Sequence, residues 1–111
     1  MKGSRTSLPQ TRDALAILGL LVAEGRRRRG WTEVELADRV GVSPKTLRKV
    51  EAGDGTVALG TAFEAAALVG VALVADPSDL PTVRARLADR LAVLPQRVRA
   101  SDRSGEVDDD F

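Results

Sequence analysis

The sequence predicts an all-α fold, a bundle of four to five helices with disordered termini. Three observations carry that expectation. Apolar residues make up 43% of the chain and are mostly Ala, Leu and Val, while aromatics reach only 3%, a mixture that suits helices better than a sandwich of strands. Apolar positions recur three and four residues apart in successive segments. Capping residues, prolines and glycines bracket those segments where helices start and stop.

At the amino end, Ser7-Leu8-Pro9-Gln10 has the S-x-x-Q form of a capping box, so the first helix starts near Leu8 or, failing that, near Asp13. It runs to about Arg29, and Gly30 stops it. Thr32 and Glu35 form a second box, T-x-x-E, ahead of a helix over 33–40 with Leu36, Ala37 and Val40 on one face. Gly41 ends that helix, and Ser43 caps the next, with Pro44 in its first turn. This third helix covers 44–52, turning Leu47 and Val50 inward and Lys45, Thr46, Arg48 and Lys49 outward. A loop with Gly53, Asp54 and Gly55 follows. The fourth helix spans about 59–69, with Leu59, Phe63, Ala66 and Val69 inward and Gly70 as its stop. The turn Asp76-Pro77-Ser78-Asp79-Leu80-Pro81 caps a fifth helix that ends before Pro95, with Val83, Leu87, Leu91 and Leu94 as its stripe. The organisation expected is therefore a flexible arm over 1–10, a domain over 11–73 with a two-helix motif at 33–52, a helix at 79–94 serving core or dimer seam, and an acidic disordered tail over 98–111.

Composition excludes several chemistries. The chain has no cysteine and no histidine, which removes disulfides, thiolate and imidazole metal sites, and Cys–His or Ser–His nucleophiles. No pair of carboxylates or lysines converges on a site recognisable in the sequence, so neither an enzyme nor a cofactor is expected. The apolar run over 14–23 is short of the roughly 20 residues of a membrane span, and residues 26–29 follow it without a cleavage site. The expected location is the cytoplasm, on the nucleoid. Net charge is +1, but residues 1–53 carry +5 and residues 54–111 carry −4. A basic half holding two short helices and a three-residue turn fits a polyanion, because that arrangement lets one helix enter the DNA major groove.

From Ile17 to Val71 the chain resembles the phage-repressor and Cro-like helix-turn-helix family, also called the xenobiotic-response-element family. The residues carrying the likeness are the two-helix motif, Arg26 ahead of Gly30-Trp31-Thr32, Glu51 followed by Gly53, and the ending Leu68-Val69-Gly70-Val71. The resemblance implies that Arg26 and Glu51 form a structural ion pair. It places Lys45, Thr46, Arg48 and Lys49 at base edges, where Lys and Arg donate to guanine O6 and N7 and Thr touches a thymine methyl or a phosphate. Phosphates fall to Thr32, Ser43, Thr56 and Arg29, with the free N–H groups of the helix starts. Residues 27–29 stay open between DNA contact and a solvated helix end. Two positions depart from the family: Pro44 and Glu33 stand where many members carry glutamine. A carboxylate at 33 repels phosphate unless Arg29 or Lys45 screens it.

The resemblance further implies a homodimer on double-stranded DNA with an inverted repeat. Helix one, apolar nearly all round, and the stripe of helix five are the candidate seams, with Leu20 and Leu91 at their centres; the alternative is that they extend one core. Val57-Ala58-Leu59-Gly60-Thr61 and Leu94-Pro95-Gln96-Arg97-Val98-Arg99 are similar to the HipB-like antitoxins, which implies an autorepressor that also binds a HipA-like kinase toxin. The rival from another class is a protein-binding module with a vestigial DNA face.

Overall fold

The computed structural model describes residues 7–97 of the 111-residue chain, and the expectations for 1–6 and for the tail over 98–111 lie outside it. Among the described residues the order is α1 (Pro9–Arg28), α2 (Glu33–Val40), α3 (Pro44–Glu51), α4 (Leu59–Leu68), a 3-10 turn (Pro77–Asp79) and α5 (Leu80–Ala92), with no strand. The chain divides after Val74 into two units, the first holding α1–α4 and the second the 3-10 turn and α5.

Ser7 does not cap α1. Leu8 is the N-cap with no side-chain bond, and Pro9, whose missing N–H costs nothing in the first turn, opens the helix. The helix thus begins next to Leu8, the earlier of the two starts expected. The Thr32–Glu35 capping box is complete: the Glu35 N–H donates to Thr32 Oγ1 at 3.0 Å, and the Thr32 N–H donates to Glu35 Oε1 at 2.7 Å. Trp31, just before the cap, packs against the core that contains Leu36, closing the start of α2 as an apolar staple does. Gly41 takes φ of +88°, which lets the Val42 N–H reach back to the Ala37 carbonyl at 3.0 Å and turns the chain sharply into α3. Ser43 Oγ accepts from the Thr46 N–H at 3.1 Å, so α3 starts capped with Pro44 in its first turn.

The core of the first unit is Val22, Leu36, Ala37, Leu47, Val50, Ala65, Ala66 and Val69, drawn from all four helices. α1 packs on α3 and α4, and α2 packs on the same two. Small residues let them approach. A Cβ at Gly19 would collide with the Glu51 carbonyl and sit 2.8 Å from the Val50 carbonyl oxygen; one at Gly25 would lie 2.8 Å from the Val69 Cβ. The inward face expected for α4 is half right. Ala66 and Val69 are buried, but Leu59 and Phe63 are exposed by 70% and 40%, and Ala65 takes the inner position instead. Where α4 meets α1 the approach is close, at Gly25 against Val69.

In the second unit, Asp76 Oδ1 accepts from both the amide and the hydroxyl of Ser78, capping the 3-10 turn that leads into α5. α5 ends at Ala92, so Leu94 lies beyond it, and it buries none of its residues.

A buried ion pair crosses the first unit. Arg26 Nε donates to Glu51 Oε2 at 2.7 Å, a second guanidinium nitrogen donates to Oε1 at 3.1 Å, and the third reaches the Trp31 carbonyl at 2.9 Å. Both side chains are nine-tenths buried. The Glu51 hydrogen bond raises the Arg26 pKa against the opposing effect of burial, so the guanidinium stays charged at every ordinary pH.

Two outcomes are expected in melting experiments. Gly19→Ala destabilises by about 1–3 kcal/mol through overpacking against α3, whereas Gly60→Ala, which meets nothing within 4 Å, stabilises by about 0.5 kcal/mol; equal effects would contradict the packing. Glu51→Ala strands a buried guanidinium and costs about 3 kcal/mol, lowering Tm by more than about 10 °C. Glu51→Gln, which keeps an acceptor, loses less.

Candidate nucleic-acid interface

α3 is held from behind and open in front. Leu47 and Val50 are buried beneath α1 and α2, while Lys45, Arg48 and Lys49 are exposed and Thr46 is half-buried. Lys45 and Lys49 stand one helical turn apart on the outer face. The Ser43 hydroxyl donates to Thr46 Oγ1 at 3.1 Å, so these two side chains are locked together at the start of the helix. Thr32 Oγ1 accepts the Glu35 N–H, and no acceptor among the described residues takes its own proton, which leaves a donor at the start of α2. The first-turn N–H groups of α2 and α3 carry partial positive charge, and both helices are eight residues long.

Glu33, in the first turn of α2, stands beside α3. Its partner is neither Arg29 nor Lys45: the nearest cation is Arg48, with Nη1 4.0 Å from Glu33 Oε1. At that distance and exposure the pair is weak. Glu33 also contributes to the raised pKa of Arg26.

Two residues expected on phosphate are engaged elsewhere. Arg29 Nη1 donates to the Val69 carbonyl at 2.8 Å, closing the end of α4, where a cation is favoured by the helix dipole. Thr56 precedes the start of that helix, so the two lie at opposite ends of an element ~15 Å long and do not converge. Thr56 gives its amide and its hydroxyl to Asp54 Oδ1, at 2.8 and 2.6 Å. Arg27 and Arg28 are exposed on α1, and Arg28 pairs with Glu24 at 3.0 Å. Leu20 and Leu91, exposed by 67% and 69%, belong to separate units.

Sequence reasoning missed one cluster. The Arg39 guanidinium stacks 4.1 Å from the centre of the Trp31 ring, and Arg29 lies 5.8 Å from the same centre. Such stacking is worth about 0.5–1 kcal/mol at an exposed site. The signal available was the lone Trp one residue ahead of a cap, with Arg39 two turns on. Among the described residues no group of three acidic side chains could hold a metal, and no helix is long and apolar enough to cross a membrane.

Asp54 is held below the ordinary aspartate value of 3.8, first by the Thr56 hydroxyl and then by its amide. A lowered carboxylate pKa means that the turn is fully held above the ordinary value and is lost only as pH falls through the lowered one. The Thr56 amide resonance should therefore stay fixed down to about pH 4 and move in stronger acid, while Thr56→Ala, which removes the hydroxyl and keeps the amide, moves the Asp54 titration part of the way back towards the ordinary value. An Asp54 that titrates normally in the parent protein would refute the contact.

No curated protein matches the chain. Residues 22–74 match the family model described as helix-turn-helix, a span that opens inside α1 and takes in α2, α3 and α4. With α2 and α3 joined at Gly41 and α3 presenting its cations outward, residues 22–74 are a helix-turn-helix domain of the Cro and repressor type, a DNA-binding class of transcriptional regulators.

Proposed function

We propose that the protein is a dimeric repressor that occupies an inverted repeat in its own promoter, acting in the cytoplasm on the nucleoid. The observation that carries this reading is the outer face of α3, where Lys45, Arg48 and Lys49 are exposed over a buried Leu47–Val50 anchor. Lys45 and Lys49 read guanines on neighbouring base pairs, and Thr46 contacts a thymine methyl or the backbone. Arg48 divides its charge between DNA and Glu33. The phosphate clamp is Thr32 and the free amides of the two helix starts; Ser43, Arg29 and Thr56, already bonded within the domain, fall outside it. Two modules are needed because one buries too little surface for tight specific binding.

A narrower role, as antitoxin of a HipA-like kinase, rests on the likeness of residues 57–61 and 94–99 to that group. Leu59, within the first of these segments, is exposed and so is available to a partner. A HipA-like reading frame beside the gene, whose product co-purifies with the protein, supports this role; a neighbour of another kind removes it.

Binding of the purified protein to its own upstream DNA, against a scrambled duplex at physiological ionic strength, tests the main reading. Affinity for the upstream DNA should exceed that for the scrambled duplex and fall steeply with added salt. Lys45→Ala and Lys49→Ala should each cost about 1–3 kcal/mol on specific DNA and relax preference at one position. Equal weakening on all sequences would reassign both lysines to phosphate, and no preference for upstream DNA would end the proposal.

A further inference from the structure

The face of α1 turned away from the core is apolar. Ile17, Leu20 and Leu21 are large, exposed and consecutive along it, although each is one or two residues from a core position such as Leu18, Gly19 or Val22. Charged residues bound the strip: Asp13 one turn before Ile17, and Glu24, Arg27 and Arg28 after Leu21. Positions 13, 17, 20, 24 and 27 follow the alternating four and three of a helix–helix seam. Within the strip is an open concavity lined by Leu20, Ala23, Glu24, Arg27 and Arg28. Residues 20, 23, 24 and 27 are the i, i+3, i+4 and i+7 positions that form a hole for one knob of a facing helix.

We propose that this face is self-complementary, and that two copies of the chain pack α1 against α1 in antiparallel fashion across a two-fold axis between Leu20 and Leu21. The dimer of the proposed repressor is assumed here; what is added is the seam, its direction and its register. A two-fold at that point sets each residue opposite the one equally far beyond the axis. Ile17 of each copy then enters the hole formed by residues 20, 23, 24 and 27 of the other. Leu20 and Leu21 of both copies meet at the centre.

Charge selects the direction. In the antiparallel register Asp13 faces the partner's Arg27 and Arg28 at both ends of the seam. In a parallel register Asp13 meets Asp13, and Arg28 meets Arg28, which is repulsive. Glu24 comes beside the partner's Ile17, and its charge is already met by Arg28 at 3.0 Å. α3 packs on the opposite face of α1, against Gly19, so the seam leaves both recognition helices uncovered.

The absence of cysteine from the chain makes the test direct. Full-length protein carrying Ile17→Cys is mixed with protein carrying Glu24→Cys, one of them mass-tagged, and oxidised mildly without DNA. The antiparallel seam gives chiefly the mixed 17–24 disulfide. A parallel seam gives 17–17 and 24–24, which overturns the register. Disulfide yield no greater than that of Val34→Cys, exposed on α2, overturns the seam, as does efficient crosslinking of Leu91→Cys in place of the α1 pair.

Sedimentation supplies the second readout. Leu20→Asp raises the dimer dissociation constant about tenfold or more, with an unchanged melting profile showing that the domain still folds. Asp13→Arg weakens the dimer, and adding Arg27→Asp and Arg28→Asp restores it. Dimerisation that ignores Leu20→Asp, or a monomeric parent chain, rejects the proposal. None of these measurements involves DNA, so failure of the seam in a chain that still dimerises leaves the repressor reading intact, whereas a monomeric parent chain removes the dimer from both.

Discussion

The Arg26–Glu51 pair fixes the domain's geometry. One guanidinium divides its three nitrogens between two jobs: two hold Glu51 at the end of α3, and one holds the carbonyl of Trp31 just before α2. Since Arg26 itself belongs to the last turn of α1, a single side chain sets the positions of three helices relative to one another. A lysine offers a point charge and no fork, so it would fix none of those directions. The pair is a costly way to gain stability, because desolvating both ions offsets most of their attraction. What it secures is register. α3 is only eight residues long and cannot orient itself; its outer face is aimed by what its inner end is tied to.

Contact between the helices depends equally on residues without side chains. Gly19 admits the end of α3 to the surface of α1, close enough for Arg26, two turns further along, to reach Glu51. Gly25 performs the same service for α4 at Val69. Ion pair and glycines are thus parts of one arrangement. With a side chain at 19 the helices separate, and the bidentate geometry at 2.7 and 3.1 Å cannot persist.

What was legible in the sequence was local. The boundaries of α2 and α3 follow from Thr32, Glu35, Gly41, Ser43 and Pro44, each of which acts on backbone groups within five residues, and such signals need no knowledge of the fold. The inner face of α3 was legible for the same reason, through the spacing of Leu47 and Val50. The inner face of α4 was not. Its helical pattern offers two overlapping stripes, one through Leu59 and Phe63 and one through Ala65, Ala66 and Val69, and size favours the first. The assembled fold takes the second, burying Ala65, Ala66 and Val69, the last of them against Gly25 of α1. The partners of Arg29 and Thr56 were hidden likewise: the carbonyl that Arg29 closes is forty residues away, and Asp54 takes both protons that Thr56 had to offer. Arg48 as the neighbour of Glu33 depends on the angle between α2 and α3, which spacing alone does not give.

The charges around α3 are balanced between attraction and discrimination. Three exposed cations on a two-turn helix would bind any polyanion, since phosphate attraction carries no sequence information. Glu33 lies at the edge of that face and opposes it. A carboxylate there repels phosphates wherever the helix rests superficially on a duplex, which weakens loose association more than seated binding. On the proposed reading Arg48, 4.0 Å from Glu33, changes partners as the helix seats, moving from the carboxylate towards DNA. A glutamine at 33 would add a phosphate donor and lose this opposition. On the same reading Glu33 exchanges raw affinity for a larger gap between specific and non-specific sites.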